Sequence, residues 1–368
     1  MQPAGQIEPT ATSPARAAED PTIEALRGFA ALMVVATHYA YMLSSQPNAW
    51  GFASTGVDLF FVLSGYVFAP YFFGRKLSLG PHLIRRFFRL YPLYLAALLL
   101  YVALKLPDGG AWRYFGVHLL MGHTLNSTEV AFFYNPAFWS LPAEVEYYLL
   151  LPLLVWLVAR TGFPGLLVAS VALHMALLAA ADPGEPAASA RAIAMVHTPG
   201  LLVEFLLGSA AYRAAQRYPG QASAWWRLCI GLGALLLVGL AYALLIAPRV
   251  GQVPSPSLWV SGNIGLGAAV GYAAVVSALV CLVRSVGAAI RWWFLLMGQL
   301  SYGVYLFHNA SPKLLAMVGT PATGWLALVL ALLVTLWMAW VAHHLIEHPL
   351  RRYGRALSQR WRTRNAPI

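Results

Sequence analysis

Charged residues and cysteines are scarce in this chain of 368 residues, and each scarcity excludes a class of protein. Charged residues make up 10% of the chain and hydrophobic residues 60%, whereas soluble domains usually carry about 25% charged residues. The two cysteines, Cys229 and Cys281, both fall in apolar runs, so neither a disulfide framework nor a zinc–thiolate site is expected. Glycine motifs for phosphates or dinucleotides are absent, as is the nucleophile elbow of hydrolases. The composition indicates an integral membrane protein that lies in a lipid bilayer.

Apolar runs of membrane-spanning length predict an all-α fold, a polytopic membrane helix bundle of about ten transmembrane helices. A Pro- and Ala-rich segment at 1–22 is expected to be disordered, residues 23–350 to form one transmembrane domain, and residues 351–368 a basic tail. The ten predicted spans are 24–44, 55–74, 87–105, 137–159, 163–181, 197–214, 227–247, 259–283, 292–317 and 323–346.

The basic residues explain the net charge of +11 without a nucleic-acid partner. Of the 24 lysines and arginines, 19 fall at the termini or in alternate loops on one side of the predicted bundle. By the positive-inside rule this side is cytoplasmic, so both termini of a multi-pass membrane protein are predicted to be cytoplasmic. The five basic residues predicted on the opposite side are Lys105, Arg113, Arg191, Arg249 and Lys313.

The first predicted span carries two ionisable residues, Arg27 and His38, within the run IEALRGFAALMVVATHY. Eleven residues at about 100° each make roughly three turns, so both side chains lie on one helix face, about 16 Å apart along the axis. Ionisable groups inside a span are costly and mark a functional site by default. Histidine titrates near neutral pH, so His38 is a candidate general base.

Further polar residues open the second and third spans. Asp58 in GVDLFFVLSGY either caps its helix or orients a histidine, and Ser64 either serves only close helix packing or has a functional role. Arg86 and Arg89, three residues apart, share a face at the predicted cytoplasmic mouth of the third span. Two interpretations stay open for this pair: snorkelling topology anchors, or a clamp for the phosphates of a nucleotide-like donor.

The fourth and ninth spans carry the other candidates. Glu144 belongs either to a site or to a structural network with the tyrosines that follow it. Ser301, Tyr305 and His308 fall at i, i+4 and i+7, a polar stripe that predicts an interior cavity. No metal is expected, because arginines and a proline flank the one His/Glu cluster, which consists of His343, His344, Glu347 and His348.

As an ordered set, these motifs resemble the acyltransferase-3 family of integral membrane acyltransferases, from Ile23 to about Tyr353. The motifs are Arg-x10-His, GVDLFFVLSGY, Arg-x-x-Arg, WSLxxE, LSYxxYLxH and EHPLRR. The resemblance implies O-acyl transfer from cytoplasmic acyl-CoA, with acetyl-CoA expected first, to a hydroxyl of a carbohydrate acceptor such as an envelope polysaccharide or glycolipid. It implies no bound cofactor, with acyl-CoA as co-substrate, and envelope-polysaccharide synthesis proteins as partners.

The resemblance also assigns roles by motif position. It implies that His38, Glu144, Asp58 and His308 are catalytic, and that Arg27, Arg86 and Arg89 bind the donor. Ser301 and Tyr305 are candidate contacts for the oxyanion or the acceptor. Two positions depart from the family pattern: Val145 stands where a second glutamate is usual, with Glu146 one place later, and Pro142 replaces a serine.

From the residues alone, the mechanism of His38 stays open, and so do two functions other than acyl transfer. His38 either acts as a general base or forms a covalent acyl-histidine intermediate. A proton-coupled transporter of an acyl or sugar substrate would bury similar residues, although the chain shows no inverted repeat. A purely structural membrane partner is the third alternative, and it would tolerate apolar residues at Arg27 and His38.

Overall fold

A computed structural model describes residues 20–44, 47–180, 189–249, 258–284 and 286–364. Throughout these residues the regular secondary structure is helical. Residues 1–19 of the predicted disordered segment and 365–368 of the predicted basic tail lie outside the described residues.

Fourteen α-helices make up most of the described chain. Short 3-10 turns join several of them, and single π-helical turns precede Ala247 and follow Ala342. The helices are α1 Pro21–Tyr39, α2 Gly56–Phe72, α3 Leu79–Lys105, α4 Phe115–Leu119, α5 Thr128–Phe132, α6 Ser140–Ala179, α7 Ala190–Met195, α8 Thr198–Arg217, α9 Gln221–Ala241, α10 Leu258–Leu282, α11 Ala288–Phe307, α12 Ser311–Met317, α13 Trp325–Ala342 and α14 His348–Arg364.

Local sequence accounts for several helix boundaries. Asp20 caps α1 by accepting a hydrogen bond from the Thr22 amide at 2.9 Å, and Pro21 takes the first helical position, where no amide proton is needed. Gly162 interrupts α6 with φ 73° and ψ 156°, a backbone conformation that glycine adopts at low cost. This break lies between the fourth and fifth predicted spans, so α6 consists of two helical segments that meet at Gly162.

The predicted count of ten spans is not confirmed. Within the described residues, seven helical segments are long and apolar enough to cross a membrane. The seven count α6 once, although it contains the fourth and fifth predicted spans on either side of Gly162. α1 and α11, which correspond to the first and ninth predicted spans, are not among the seven. The polar residues that make α1 interesting, Glu24, Arg27 and His38, also reduce its apolar character. The cytoplasmic location of the termini stays a prediction.

The helices of the bundle interior approach one another closely. α1 packs along α11 and α2, α2 packs along α8, and α14 lies against α3. Glycines permit the contact between α2 and α8: a β-carbon on Gly65 would collide with the Phe205 carbonyl, and one on Gly208 with the Val62 carbonyl. This close packing lets α1, α2, α3, α6 and α11 line one interior cavity.

Candidate active site

A small polar cavity, here called the inner cavity, lies where these five helices converge. Its volume is about 60 Å³, room for about two water molecules at their liquid volume. Six of the nine predicted site residues line the inner cavity: Arg27, Arg86, Arg89, Glu144, Ser301 and Tyr305.

Two of the three arginines are held by carboxylates. Arg27 donates to Glu24, one helical turn earlier on α1, at 2.7 Å. Arg89 donates to Glu347 at 3.4 Å, and Glu347 also accepts from Arg351 at 3.1 Å. These ion pairs fix the guanidinium groups in a partly buried setting, where an isolated charge would be costly.

Arg86 differs from the other two arginines because aromatic rings surround it. Its guanidinium carbon lies 5.1 Å from the Phe68 ring centre and 5.5 Å from the Tyr148 ring centre. Its Nε is buried and has no hydrogen-bond partner within the described part of the chain. Arg86 also shares a side-chain hydrogen bond with Tyr148, so the donor shown to be without a partner is its Nε.

Glu144 occupies the middle of the inner cavity as a hydrogen-bond acceptor. The Tyr148 hydroxyl donates to its Oε1, and the Ser64 hydroxyl donates to the same oxygen at 3.1 Å. Ser64 thus makes a polar contact as well as allowing close packing. Two donors on one oxygen orient the carboxylate and leave its second oxygen available.

Ser301 and Tyr305 both use their hydroxyl protons on backbone carbonyls. Tyr305 donates to Ala137 at 2.6 Å and accepts from Ser140, whose hydroxyl lies 2.7 Å away. Ser301 donates to the Gly298 carbonyl one turn earlier on α11, at 2.8 Å. An oxyanion role for either residue requires the hydroxyl to turn, and this role stays a prediction.

The two predicted catalytic histidines meet beside Tyr305. The rings of His38 and His308 lie edge to face, with centres 4.8 Å apart, and the His308 ring centre lies 6.3 Å from that of Tyr305. His38 Nδ1 lies 2.9 Å from the Val34 carbonyl oxygen. Because a carbonyl only accepts, this nitrogen carries the proton and Nε2 carries the lone pair that a general base needs.

His308 is fully buried, and its backbone is anchored to α1. The Tyr39 hydroxyl donates to the His308 carbonyl at 2.6 Å. His308 Nδ1 lies 2.9 Å from the Tyr305 carbonyl oxygen, and its Nε2 has no hydrogen-bond partner among the described residues. His308 is therefore held by its backbone and by Nδ1, and the His38 ring lies against it.

Asp58 lies apart from the other predicted site residues. Its carboxyl group shares a hydrogen bond with Glu204 of α8, and a β-carbon on Gly265 of α10 would lie 2.5 Å from its Oδ1. Two carboxyl groups share such a bond only if one of them holds a proton. The structure thus places Asp58 with Glu204 rather than beside either histidine.

Sequence reasoning missed several partners of the site. Glu24 could have been found, because an acid three residues before Arg27 shares its helix face. The pairing of Arg89 with Glu347 joins residues 258 positions apart, and no local pattern signals it. Glu146, the shifted glutamate, instead accepts from the Thr198 amide at 3.0 Å and so caps α8.

The His/Glu cluster near the end of the chain forms an ion-pair network. Glu347 is buried and receives hydrogen bonds from Arg89, Arg351 and His343. Among the described residues, no group of three or more His, Cys, Asp or Glu side chains is arranged to hold a metal ion.

A helical bundle of membrane length, built around arginines, a glutamate and histidines, is typical of membrane-embedded enzymes and carriers. A family model for an acyltransferase domain matches residues 20–344. The chain belongs to the acyltransferase-3 family, a family of membrane acyltransferases.

Two relatives show partial similarity. The chain is 33% identical over 164 residues to the acyltransferase MdmB of Streptomyces mycarofaciens, which covers 40% of this chain and 42% of that protein. It is 42% identical over 86 residues to protein 2 in the picA locus of Rhizobium radiobacter, which covers 22% of this chain and 43% of that protein. The chain therefore matches less than half the length of either relative. No solved structure matches the chain.

Proposed function

We propose that this protein is an O-acyltransferase of the bacterial inner membrane. It moves an acyl group, acetyl in the first instance, from cytoplasmic acyl-CoA to a hydroxyl group of a carbohydrate acceptor, such as an envelope polysaccharide or glycolipid. The observation that carries the proposal is the inner cavity, which has three arginines among its lining residues and adjoins a histidine pair at Tyr305.

The arginines suit the phosphates of CoA. Arg86 keeps unused donor capacity, and Arg27 and Arg89 stand beside it in the cavity wall. Guanidinium groups bind phosphate through paired, charge-assisted hydrogen bonds, which are stronger than neutral ones. Arg27 and His38 lie three turns apart on α1, about 16 Å along the axis. A donor with its phosphates at the arginines can thus extend its thioester towards His38.

The chemistry then needs one base and one leaving group. The acceptor hydroxyl attacks the thioester carbonyl carbon while His38 Nε2 takes the hydroxyl proton. An ester C–O bond forms, the C–S bond breaks, and the CoA thiolate recovers the proton from the His38 imidazolium. His308 holds the His38 ring by its edge-to-face contact. A well-placed base of this kind contributes about 10²- to 10⁴-fold to a rate.

The test uses purified protein in lipid nanodiscs, supplied with acetyl-CoA labelled in the acetyl group and a total envelope-glycan extract. Free CoA is followed with a thiol-reactive dye and the label is followed into the glycan fraction. The proposal predicts CoA release that requires both the extract and His38, with one acetyl group transferred for each CoA released.

A transporter gives the opposite result. It would move label across a sealed vesicle without consuming the thioester. Label uptake with no CoA release, in protein shown to be folded and with several acyl-CoAs tried, would overturn the acyltransferase proposal. A purely structural partner would show neither signal, and His38→Ala would leave the host complex active.

A further inference from the structure

A second and larger cavity, here called the outer cavity, opens on the segment that connects α3 to α6. Its volume is about 320 Å³, within the range of small-ligand sites. It is lined on one side by this connecting segment and on the other by Ala192 and Val196, at α7 and just after it. The positive-inside prediction puts this side of the bundle away from the cytoplasm.

The polar lining of the outer cavity consists of neutral groups that bind hydroxyls. Thr124, Asn126, Ser127 and Thr128 are consecutive or nearly so, and together they supply three hydroxyls and an amide. The Thr124 side chain is only 5% exposed, and its hydroxyl has no hydrogen-bond partner within the described ranges. A buried hydroxyl without a partner is costly, and a ligand hydroxyl in this cavity would satisfy it.

The apolar lining supplies two aromatic rings. Trp139 is half-buried, and Phe132 is 46% exposed. None of the residues that line the outer cavity is charged. Flat aromatic rings beside neutral hydroxyl-binding groups suit a neutral polyol ring, whose C–H face packs on an aromatic ring while its hydroxyls form hydrogen bonds. A phosphate or a carboxylate ligand would find no cation here.

One helical turn separates the two cavities. Trp139, the last residue of the 3-10 turn Pro136–Trp139, lines the outer cavity, and its ring meets Phe61 edge to face with centres 6.4 Å apart. Phe61 and Ser140, the residue after Trp139, both line the inner cavity. The Ala137 carbonyl of the same turn accepts from Tyr305. A ligand in the outer cavity is thus separated from the acyl-transfer site by the Trp139–Phe61 contact.

We propose that the outer cavity is the acceptor subsite and holds one neutral sugar ring. Trp139 is the stacking platform, and Thr124 and Asn126 bind ring hydroxyls. The proposal rests on the acyl transfer proposed above and adds to it the chemistry and the place of the acceptor. Donor and acceptor then approach the reaction centre from opposite faces of the Pro136–Trp139 turn.

A kinetic experiment tests the specificity of this subsite. Trp139→Leu and Asn126→Ala are expected to raise KM for the glycan acceptor about tenfold or more, a loss of about 1.4 kcal/mol or more, and to leave KM for acetyl-CoA unchanged. The matched control is Trp112→Leu, which replaces an exposed tryptophan of the same segment outside the cavity. An unchanged acceptor KM in both cavity variants, or an equal rise in the control, would overturn the proposal.

A labelling experiment measures whether a sugar occupies the outer cavity, independently of catalysis. Cys281 is buried and Cys229 is exposed, so a Cys229→Ser background leaves no exposed native thiol among the described residues. Thr128→Cys, on the wall of the outer cavity but without an assigned sugar contact, is made in this background. It is treated with a membrane-impermeant maleimide, in the presence and absence of methyl glycosides of common hexoses and 6-deoxyhexoses. At least one glycoside is expected to slow labelling several-fold, and none should slow it at the control Trp112→Cys.

The two experiments separate the subsite from the reaction. If glycosides protect Thr128→Cys but the protein releases no CoA, the sugar site stands and the proposed acyl transfer is overturned. Acyl transfer with no protection, and with an unchanged acceptor KM in Trp139→Leu, would keep the reaction and overturn the sugar site.

Discussion

Two pairs of histidines meet ring to ring in this protein. His38 and His308 adjoin the inner cavity, while His118 and His123 lie in the segment that connects α3 to α6. Each of the four rings has one nitrogen within hydrogen-bond distance of a backbone carbonyl, which fixes the other nitrogen as the lone-pair site. By hydrogen bonding alone the two pairs look equally suited to catalysis.

Access and packing distinguish the two pairs. His118 and His123 are both fully buried and stack nearly parallel, with ring centres 4.4 Å apart and planes 5° apart. His38 is only half-buried, and its edge-to-face contact with His308 leaves part of its ring exposed. A base must reach the proton that it removes. The comparison teaches that exposure, and not hydrogen bonding, makes His38 the better candidate for a base.

The largest expected effect sharpens this comparison at His38. His38→Ala should lower kcat/KM for acyl transfer at least a hundredfold, because the general base is lost, with little change in melting temperature. His344→Ala is the matched control, since His344 is an exposed histidine with its Nδ1 also on a carbonyl. Steady-state CoA release checks the prediction. A loss below threefold, or an equal loss in the control, would remove His38 from the reaction.

Arg86 tests the donor side of the same cavity. Arg86→Ala should raise KM for acetyl-CoA roughly ten- to a hundredfold with a smaller effect on kcat, because a phosphate contact of about 1.4 to 3 kcal/mol is lost. Arg86→Lys should recover only part of this, since an ammonium lacks the planar fork of a guanidinium. Measuring KM with acetyl-CoA and with a phosphate-free acetyl-pantetheine thioester separates the contribution of the phosphates to donor binding from that of the pantetheine arm. An identical rise for both donors would show that Arg86 does not bind phosphate.

His308 tests whether the second ring of the reactive pair acts by packing. His308→Phe keeps a ring against His38 and should lower kcat less than tenfold, whereas His308→Ala should lower it about tenfold or more by freeing the His38 ring. The pH profile of kcat/KM should keep its shape in His308→Phe if His38 alone is the base. A hundredfold loss in His308→Phe would instead assign proton transfer to His308.

The smallest expected effect concerns the buried histidines His118 and His123, which should make the stability of the fold depend on pH. The pKa of His123 is lowered from 6.5 to about 4, mainly by burial. The neighbouring rings of His118 and His197 lower it further. The folded His123 therefore stays neutral while the unfolded imidazole takes up a proton below pH 6.5. Stability should fall between pH 6.5 and 4 by up to about 1.4 kcal/mol per pH unit.

Thermal unfolding in detergent from pH 7.5 to 4.5 checks this pH dependence. His123→Gln should flatten the acid-side slope, whatever its effect on the melting temperature at neutral pH. An unchanged slope in His123→Gln would show that other groups cause the acid sensitivity. Acyl transfer by His123→Gln, corrected for folded protein, should stay within a few-fold of the unsubstituted protein.

Local periodicity revealed part of the site from the sequence. The stripe Ser301, Tyr305 and His308 is buried, as its helical spacing predicts, and Arg27 lines the inner cavity from the same helix that carries His38. These predictions depend only on the helical repeat, which is the most reliable signal in an apolar chain.

The other features depend on tertiary contacts. Asp58 meets Glu204 across α2 and α8, and no spacing along the chain indicates that contact. The outer cavity is built from short helices and turns between α3 and α6, where no periodic pattern exists to interpret. The predicted count of ten spans is not confirmed, because two predicted spans meet at Gly162 within α6, and because α1, with its polar residues, is not among the seven apolar segments.

The most direct test of the central claim compares the two histidine pairs in a single turnover. His38→Gln and His123→Gln are each mixed, in excess over acetyl-CoA labelled in the acetyl group, with the glycan extract, and label in the glycan is measured at equal amounts of folded protein. The account predicts that His123→Gln transfers the label and that His38→Gln does not. Equal transfer by the two variants would contradict the assignment of His38 as the reactive base.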